Sequence, residues 1–466
     1  MKIAKKIGLL YAIKQRLTNE ENTFINNIYL KIAGILQFVL NDRANELGKK
    51  IGFIVRQRKL TGSNFIKTLV FGWLQKTDPS VEALARAGFS HDLTITAQGL
   101  DKRFTEKAAV FVKGVLEEAL GQVVKAKTAV DVNILNRFSH VYVADSSVIT
   151  LPDELHPLWP GTGGGAGSSR AAVKIDTCIE LKTGHLQCGL LPGKQADNHS
   201  PLAEAVFEPN SLRLQDLGYF NLQRMKEQAE RGEYWISRYH INTAIFDGQG
   251  WPVELLPWLH RLKAAGVKHQ ECEVELGVKT RVKARLVLIH LPEEAAARSR
   301  AKMKENATNQ GRTATQDSLA LCDWKILVTN TGTELLSVKD CVLLYSVRWQ
   351  IELLFKLWKS HGKLGHSNSA NPWRILCEVY AKLLALMVQH WIVLTGLWDI
   401  PERSLIKGGQ MIREQSVRLA VCFNDIKAVV RLLRELTQRF DVGCRQNKRL
   451  THPNTWVQLL EGYEFS

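Results

Sequence analysis

Residues 345–363 read YSVRWQIELLFKLWKSHGK, and the spacing of their side chains decides the fold. Val347, Ile351, Leu354 and Trp358 recur at steps of four, three and four, the apolar stripe of an amphipathic helix that opens near Ser337. At about 100° per residue, Arg348, Glu352, Lys359 and Lys363 fall on a second stripe, with Tyr345 at its edge. One carboxylate among three cations is, by itself, an ordinary solvated face with i,i+4 pairs. Two strand-like stretches change that reading: VYVADSSVITL carries Asp145 and SLRLQDLGYF carries Asp216. Two aspartates from strand ends and a glutamate from a helix can converge on a pair of divalent cations, the oxygen-rich arrangement used for phosphoryl transfer.

At these residues the chain resembles the DDE transposases of bacterial insertion sequences, in the "insertion sequence four" group. The signature of that group is tyrosine, two residues, arginine, three residues, glutamate, six residues, lysine. Tyr345, Arg348, Glu352 and Lys359 keep that spacing, and Asp216-Leu217-Gly218-Tyr219-Phe220 matches the motif around the second aspartate. The resemblance spans roughly residues 80–450.

The totals bound the rest. At 466 residues with 45% hydrophobic content, the chain has room for roughly three domains and a sizeable core. Its 62 Lys plus Arg against 46 Asp plus Glu leave +16, and residues 1–140 hold 22 of the basic and 12 of the acidic residues. A basic front end suits a polyanion. The eight cysteines form no Cys-x-x-Cys pair, so zinc is not indicated and reduced, mostly buried thiols are expected. MKIAKKIGLLYAIKQRL lacks a small-residue cleavage site and is read as no signal peptide. The most membrane-like stretch, residues 376–398, contains Glu378, Lys382, Gln389 and His390 and is expected as a buried core helix.

Along the chain, residues 1–77 are basic and helical in pattern, with a turn at Gly62 and Asn64. Asp78-Pro79 is expected to start a helix that ends on Gly88. A second helix over about 94–120 would complete a helix-turn-helix, with Gln98, Lys102, Arg103 and Lys107 facing DNA. From 141 the period becomes strand-like: three strands, a helix, a strand, a helix, a strand. The glycine-rich GTGGGAGSS at 161–169 lacks the ending of a phosphate loop and is read as a hairpin connection. Residues 244–322 interrupt this pattern, and DWKILVTN resumes it.

The resemblance implies an α/β fold with a ribonuclease-H-like catalytic core, a mixed sheet flanked by helices and interrupted by a mainly β insertion. The expected divisions are a helical, basic DNA-binding region at 1–140, the core at 141–243 and 323–365, the insertion at 244–322, and a helical region at 366–466 that dimerises. Asp145, Asp216 and Glu352 are then the catalytic acids holding Mg²⁺, with Mn²⁺ able to substitute. Asp153, Asp176 and Asp197 compete for those roles. Tyr345, Arg348, Lys359 and Lys363 would bind DNA phosphates, joined by Lys102 and Arg103. The family holds a flipped base with a tryptophan of the insertion, for which Trp251 and Trp258 are available.

The implied function is cut-and-paste transposition by a homodimer acting on double-stranded DNA, both the element's terminal inverted repeats and the target. The protein would be cytoplasmic, on the nucleoid, with no membrane partner. A nuclease of the same fold without strand transfer, and an inactive DNA-binding repressor, are the rival readings.

Overall fold

The computed structural model describes residues 27–446 apart from 57–58, 164–168, 310 and 401, together with 458–459. The opening MKIAKKIGLLYAIKQRL and residues 164–168 of the glycine-rich stretch lie outside the described residues. Helix α1 (Ile28–Gln37) continues through a π-helical turn (Phe38–Arg43) into α2 (Ala44–Lys50). In α3 (Gly62–Gln75), Thr61 and Asn64 form a capping box. Gly62 and Asn64 therefore open a helix where the sequence suggests a turn. Gly62 is required there, since a Cβ would stand 2.1 Å from the Ala44 carbonyl oxygen.

Helix α4 (Val81–Ala87) ends on Gly88 as expected, but its cap is Ser80, whose hydroxyl accepts from the Ala83 amide at 3.3 Å. The single run expected over 94–120 is two helices, α5 (Ala97–Asp101) and α6 (Glu106–Leu120), the second restarted by the Thr105 cap. A short α7 (Asn133–Asn136) leads into the sheet.

Strands β1 (Val141–Leu151), β2 (Ala171–Glu180) and β3 (Leu186–Pro192) form an antiparallel meander. Helix α8 (Pro201–Glu204) then precedes β4 (Leu212–Gln215), and α9 (Leu222–Glu230) precedes β5 (Tyr234–Arg238). β4 pairs parallel to β1, and β5 parallel to β4. The first and fourth strands are thus neighbours, as the reading of Asp145 with Asp216 requires.

The interval 244–322 contains β6 (Ile245–Phe246), α10 (Leu255–Ala264), β7 (His269–Leu276), β8 (Val282–His290), α11 (Glu293–Asn309) and α12 (Gln316–Leu321). It is mixed α and β rather than mainly β. Its strands also do not stand apart, because β8 pairs with β9 (Trp324–Thr329), which pairs with β5. One nine-stranded mixed sheet results, in the order β3-β2-β1-β4-β5-β9-β8-β7-β6. The apolar run Leu286–Ile289 of β8 is buried on both faces, as suits a strand in the interior of a sheet.

Ser337 and Asp340 make a reciprocal cap on α13 (Val338–Val347), and a turn at Arg348 leads to α14 (Trp349–Lys356) and a π-helical end (Leu357–His361). The expected single helix is therefore bent at Arg348. α14 packs on β1. Helix α15 (Pro372–Val393) is long and apolar enough to cross a membrane, but 94% of its apolar window is buried inside the protein. Its polar groups are satisfied internally: Arg374 pairs with Glu378 at 3.0 Å, and His390 Nε2 meets the Gly184 carbonyl at 2.8 Å. A helix buried all round needs partners on every side. α15 packs against α3 and α6, while α18 (Ile426–Gly443) packs against α1, after α16 (Leu405–Glu414) and α17 (Ser416–Cys422). The N- and C-terminal helices, divided in sequence, share one apolar core with the front of the sheet.

Candidate active site

Strand register builds the site. The last parallel pair between β1 and β4 is Ala144 with Gln215, so the next residues, Asp145 and Asp216, stand side by side beyond it. Asp145 stands in the middle of β1 and Asp216 just past the end of β4, and α14, packed on β1, brings Glu352 to them. Arg348, at the bend between α13 and α14, lies among all three acids. Its Nη1 is 3.6 Å from Asp145 Oδ2, its Nε is 3.9 Å from Asp216 Oδ1, and its Nη2 donates to Glu352 Oε1. Sequence spacing predicts the Arg348 and Glu352 pair; the two aspartates are contacts that only the fold supplies.

The electrostatics follow from burial. Asp145 is raised to about 6, chiefly because burial disfavours its charge, with Asp216 and Glu352 adding like-charge repulsion. The Ser146 amide, 2.8 Å from Asp145 Oδ1, and the Arg348 guanidinium oppose that rise. The Tyr345 hydroxyl is pushed up to about 12, by burial first and by the Asp216 charge second. Arg348 is held above its ordinary value by Asp216, Tyr345, Glu352 and Asp145 against the effect of burial. Lys359 is exposed at the surface, and partial burial of its amine holds it below its ordinary value against the charge of Asp145.

Three expected phosphate ligands lie elsewhere. Lys363 leaves the stripe because the helix widens over Leu357–His361 and Lys363 adopts φ +48. Its Nζ is 3.5 Å from Asp78, the residue expected to cap α4, and His366 and Asn368 approach the same carboxylate. Lys102 and Arg103 are exposed on the turn between α5 and α6, not on a recognition helix.

The competing acids have other work. Asp153 accepts from the Arg170 amide at 2.6 Å and the Ser169 hydroxyl at 2.8 Å, closing the β1–β2 hairpin. Asp176 pairs across the sheet with Ser146, so it lies on the face opposite Asp145, where it accepts from the Tyr219 hydroxyl at 2.7 Å. Asp197 forms a 2.7 Å ion pair with buried Lys174.

The donor set suits a hard divalent ion, being three carboxylates with no thiolate or imidazole. Among the described residues no group of three acids closes into a ready cage, because the Arg348 cation stands between them.

Beside Arg348 opens a cavity of about 460 Å³ with Arg238, Lys325, Tyr345, Trp324 and Trp349 among its walls. Trp251 and Trp258 do not line it; Trp251 is exposed and Trp258 packs on the second apolar core. The sequence signal for Trp324 was its place at the start of β9, just past the insertion. Lys325 is lowered to about 8 by burial first and by the Arg238 charge second.

Comparison with known proteins agrees with this geometry. The transposase DDE domain matches residues 136–388. The transposase for insertion sequence element IS231C of Bacillus thuringiensis subsp. berliner is 28% identical over 434 residues, covering 87% of this chain and 89% of the relative. That for IS231F of Bacillus thuringiensis subsp. israelensis is 27% identical over 376 residues, 76% and 77% of the two chains. That for IS1151 of Clostridium perfringens is 27% identical over 449 residues, 90% and 94%. The domain match covers more than half of the sequence and encloses Asp145, Asp216 and Glu352, so the chain belongs to the DDE transposases of bacterial insertion sequences.

Proposed function

We propose that this transposase excises and integrates its own insertion sequence by a cut-and-paste route, with Asp145, Asp216 and Glu352 as the ligands of divalent metal ions. The observation that carries the reading is the meeting of three carboxylates from three separate elements on one guanidinium. The family generally uses divalent metal ions, and Mg²⁺, with Mn²⁺ substituting, matches an all-oxygen donor set. Bound there, such ions would make a water or 3′-hydroxyl nucleophilic near neutral pH and neutralise the leaving oxygen.

The chain's own residues hold the DNA. Arg348 exchanges its carboxylates for phosphate oxygens, which its planar fork matches bidentately. The buried Tyr345 hydroxyl, beside the Arg348 guanidinium, donates to a phosphate oxygen. Lys359 adds a point charge at the mouth of the site. The cavity beside Arg348 receives a flipped base, with Trp324 and Trp349 as its aromatic walls.

The strand order β3-β2-β1-β4-β5 supports a ribonuclease-H-like core over 141–243 and 323–365, entered by the insertion at 244–322. The basic region 1–140, with Lys102 and Arg103 exposed, grips the inverted repeats and target DNA. The helices of 366–466 carry homodimerisation, and the protein works in the cytoplasm on the nucleoid.

The test is Glu352→Ala with DNA carrying the element's end. Retained binding in a mobility-shift assay with cleavage reduced at least about 100-fold is expected. Undiminished cleavage would remove Glu352 from the site.

A further inference from the structure

The sheet face opposite Asp145 carries a connected set of buried polar groups that the reaction itself does not use. Asp176 is 1% exposed and sits on β2, across from Ser146. Its carboxylate accepts from the Tyr219 hydroxyl at 2.7 Å, with the Ser200 side chain and Leu202 amide beside it. Tyr219 ends the short 3₁₀ turn Leu217–Tyr219 that Asp216 opens. The turn therefore runs from the end of β4 to the far face of β1 and β2, with Asp216 at its start and its anchor on that face.

A second tie holds the same turn. Asp197 accepts from the Ser146 hydroxyl at 2.8 Å and from Lys174 Nζ at 2.7 Å, and Lys174 also donates to the Gln195 carbonyl. The Asp197 carboxylate packs on Gly218 so closely that a Cβ there would lie 2.7 Å from Oδ2. Ser146 follows Asp145 in β1, and Gly218 lies two residues after Asp216. One carboxylate thus touches both chain segments that carry the aspartates, from behind.

We propose that Asp176 and Asp197, acting through Tyr219, Gly218 and Ser146, are positioning residues that fix the separation of Asp145 and Asp216. This rests on the reading of those two aspartates as metal ligands. Neither Asp176 nor Asp197 reaches the ion or the DNA. Burying the Asp176 acid on the far face is costly, and the bonds that it accepts from Tyr219 and that Asp197 accepts from Ser146 fall on the two segments whose spacing matters. A metal site whose ligands come from neighbouring chain segments depends on such outer contacts to hold the ligands in place.

The test uses full-length protein and Mn²⁺ binding measured by the electron paramagnetic resonance signal of free Mn²⁺, with end-DNA cleavage as a second readout. Tyr219→Phe, Asp176→Asn, Asp176→Ala and Asp197→Ala are compared with wild type and with Asp216→Ala, each with its thermal midpoint. Tyr219→Phe and Asp176→Ala are expected to weaken Mn²⁺ binding about 10-fold while excess Mn²⁺ restores most cleavage. Asp176→Asn, which keeps an acceptor for Tyr219, recovers most of the affinity. Unchanged Mn²⁺ affinity in Tyr219→Phe and Asp197→Ala, with Asp216→Ala impaired, would overturn the positioning role alone. Failure of wild type to bind Mn²⁺, or wild-type affinity in Asp216→Ala, would overturn the metal-site reading and this inference with it.

Discussion

Arg348 and Asp145 face one another at 3.6 Å, and the same guanidinium reaches Asp216 and Glu352, so a single cation offsets part of the charge of three acids. Without it, the carboxylates would repel at close range. Arg348→Ala is expected to lower the thermal midpoint in chelator, and millimolar Mg²⁺ should restore more of the loss in the variant than in wild type. Calorimetry in EDTA and in Mg²⁺ checks this; equal Mg²⁺ effects on both proteins would mean that Arg348 does not share space with the ions.

Asp145 gives the metal-free protein a distinct pH dependence. Its native value of about 6, raised mainly by burial, exceeds the ordinary aspartate value near 4. Between those values the native state holds a proton that the unfolded chain has released, so stability falls as pH rises through the window. Above about pH 6 the penalty is complete. Asp145→Asn should therefore exceed wild type in stability at pH 7 in EDTA by about 1–3 kcal/mol, with the gap closing near pH 4. Urea unfolding at both pH values measures it; the same gap at both would point to packing instead of charge.

Lys325, lowered to about 8 by burial and by Arg238, brings a pH dependence into DNA binding. Only the protonated form attracts phosphate, so affinity for the element's end should decline as pH rises above 8. Lys325→Arg should flatten that decline because arginine stays charged. Fluorescence anisotropy from pH 7 to 9.5 distinguishes the two; parallel curves would show that Lys325 does not meet the DNA.

Trp324 and Trp349 border the cavity next to Arg348, whereas Trp251 is 70% exposed on the β6 hairpin. Replacing Trp349 with Ala should reduce cleavage of end DNA about 10-fold or more, as loss of base stacking costs about 1–3 kcal/mol. Trp251→Ala should be neutral. A 2-aminopurine placed at the terminal base reports unstacking directly, and equal signals with both variants would argue against the cavity as the base's destination.

Much of this was legible in the chain because period and spacing are local properties. Alternation marked β1 and β4, and fixed offsets marked Tyr345, Arg348, Glu352 and Lys359. Register then did the rest, setting Asp145 beside Asp216. What sequence did not reveal depends on geometry that one residue can alter. The π-helical end and the positive φ of Lys363 carry that lysine to Asp78. The capping role expected of Asp78 fell to Ser80 for the same reason, since Asp78 is engaged elsewhere. Trp324 lies at the start of β9, outside the insertion to which the resemblance assigns a base-holding tryptophan, and only the fold sets it beside Arg348. The continuity of β8 with β9 is a long-range pairing that alternation cannot announce.

The central claim is that Asp145 belongs to a metal-dependent DNA-cutting site. Purified protein incubated with a labelled fragment carrying the element's end, with and without Mg²⁺, tests it most directly when wild type and Asp145→Ala are run together. Nicking at the element boundary by wild type in Mg²⁺ and none by the variant, with both still bound to the DNA, is the expected result. Binding without any cut by wild type in either Mg²⁺ or Mn²⁺, or cutting by the variant, would contradict it.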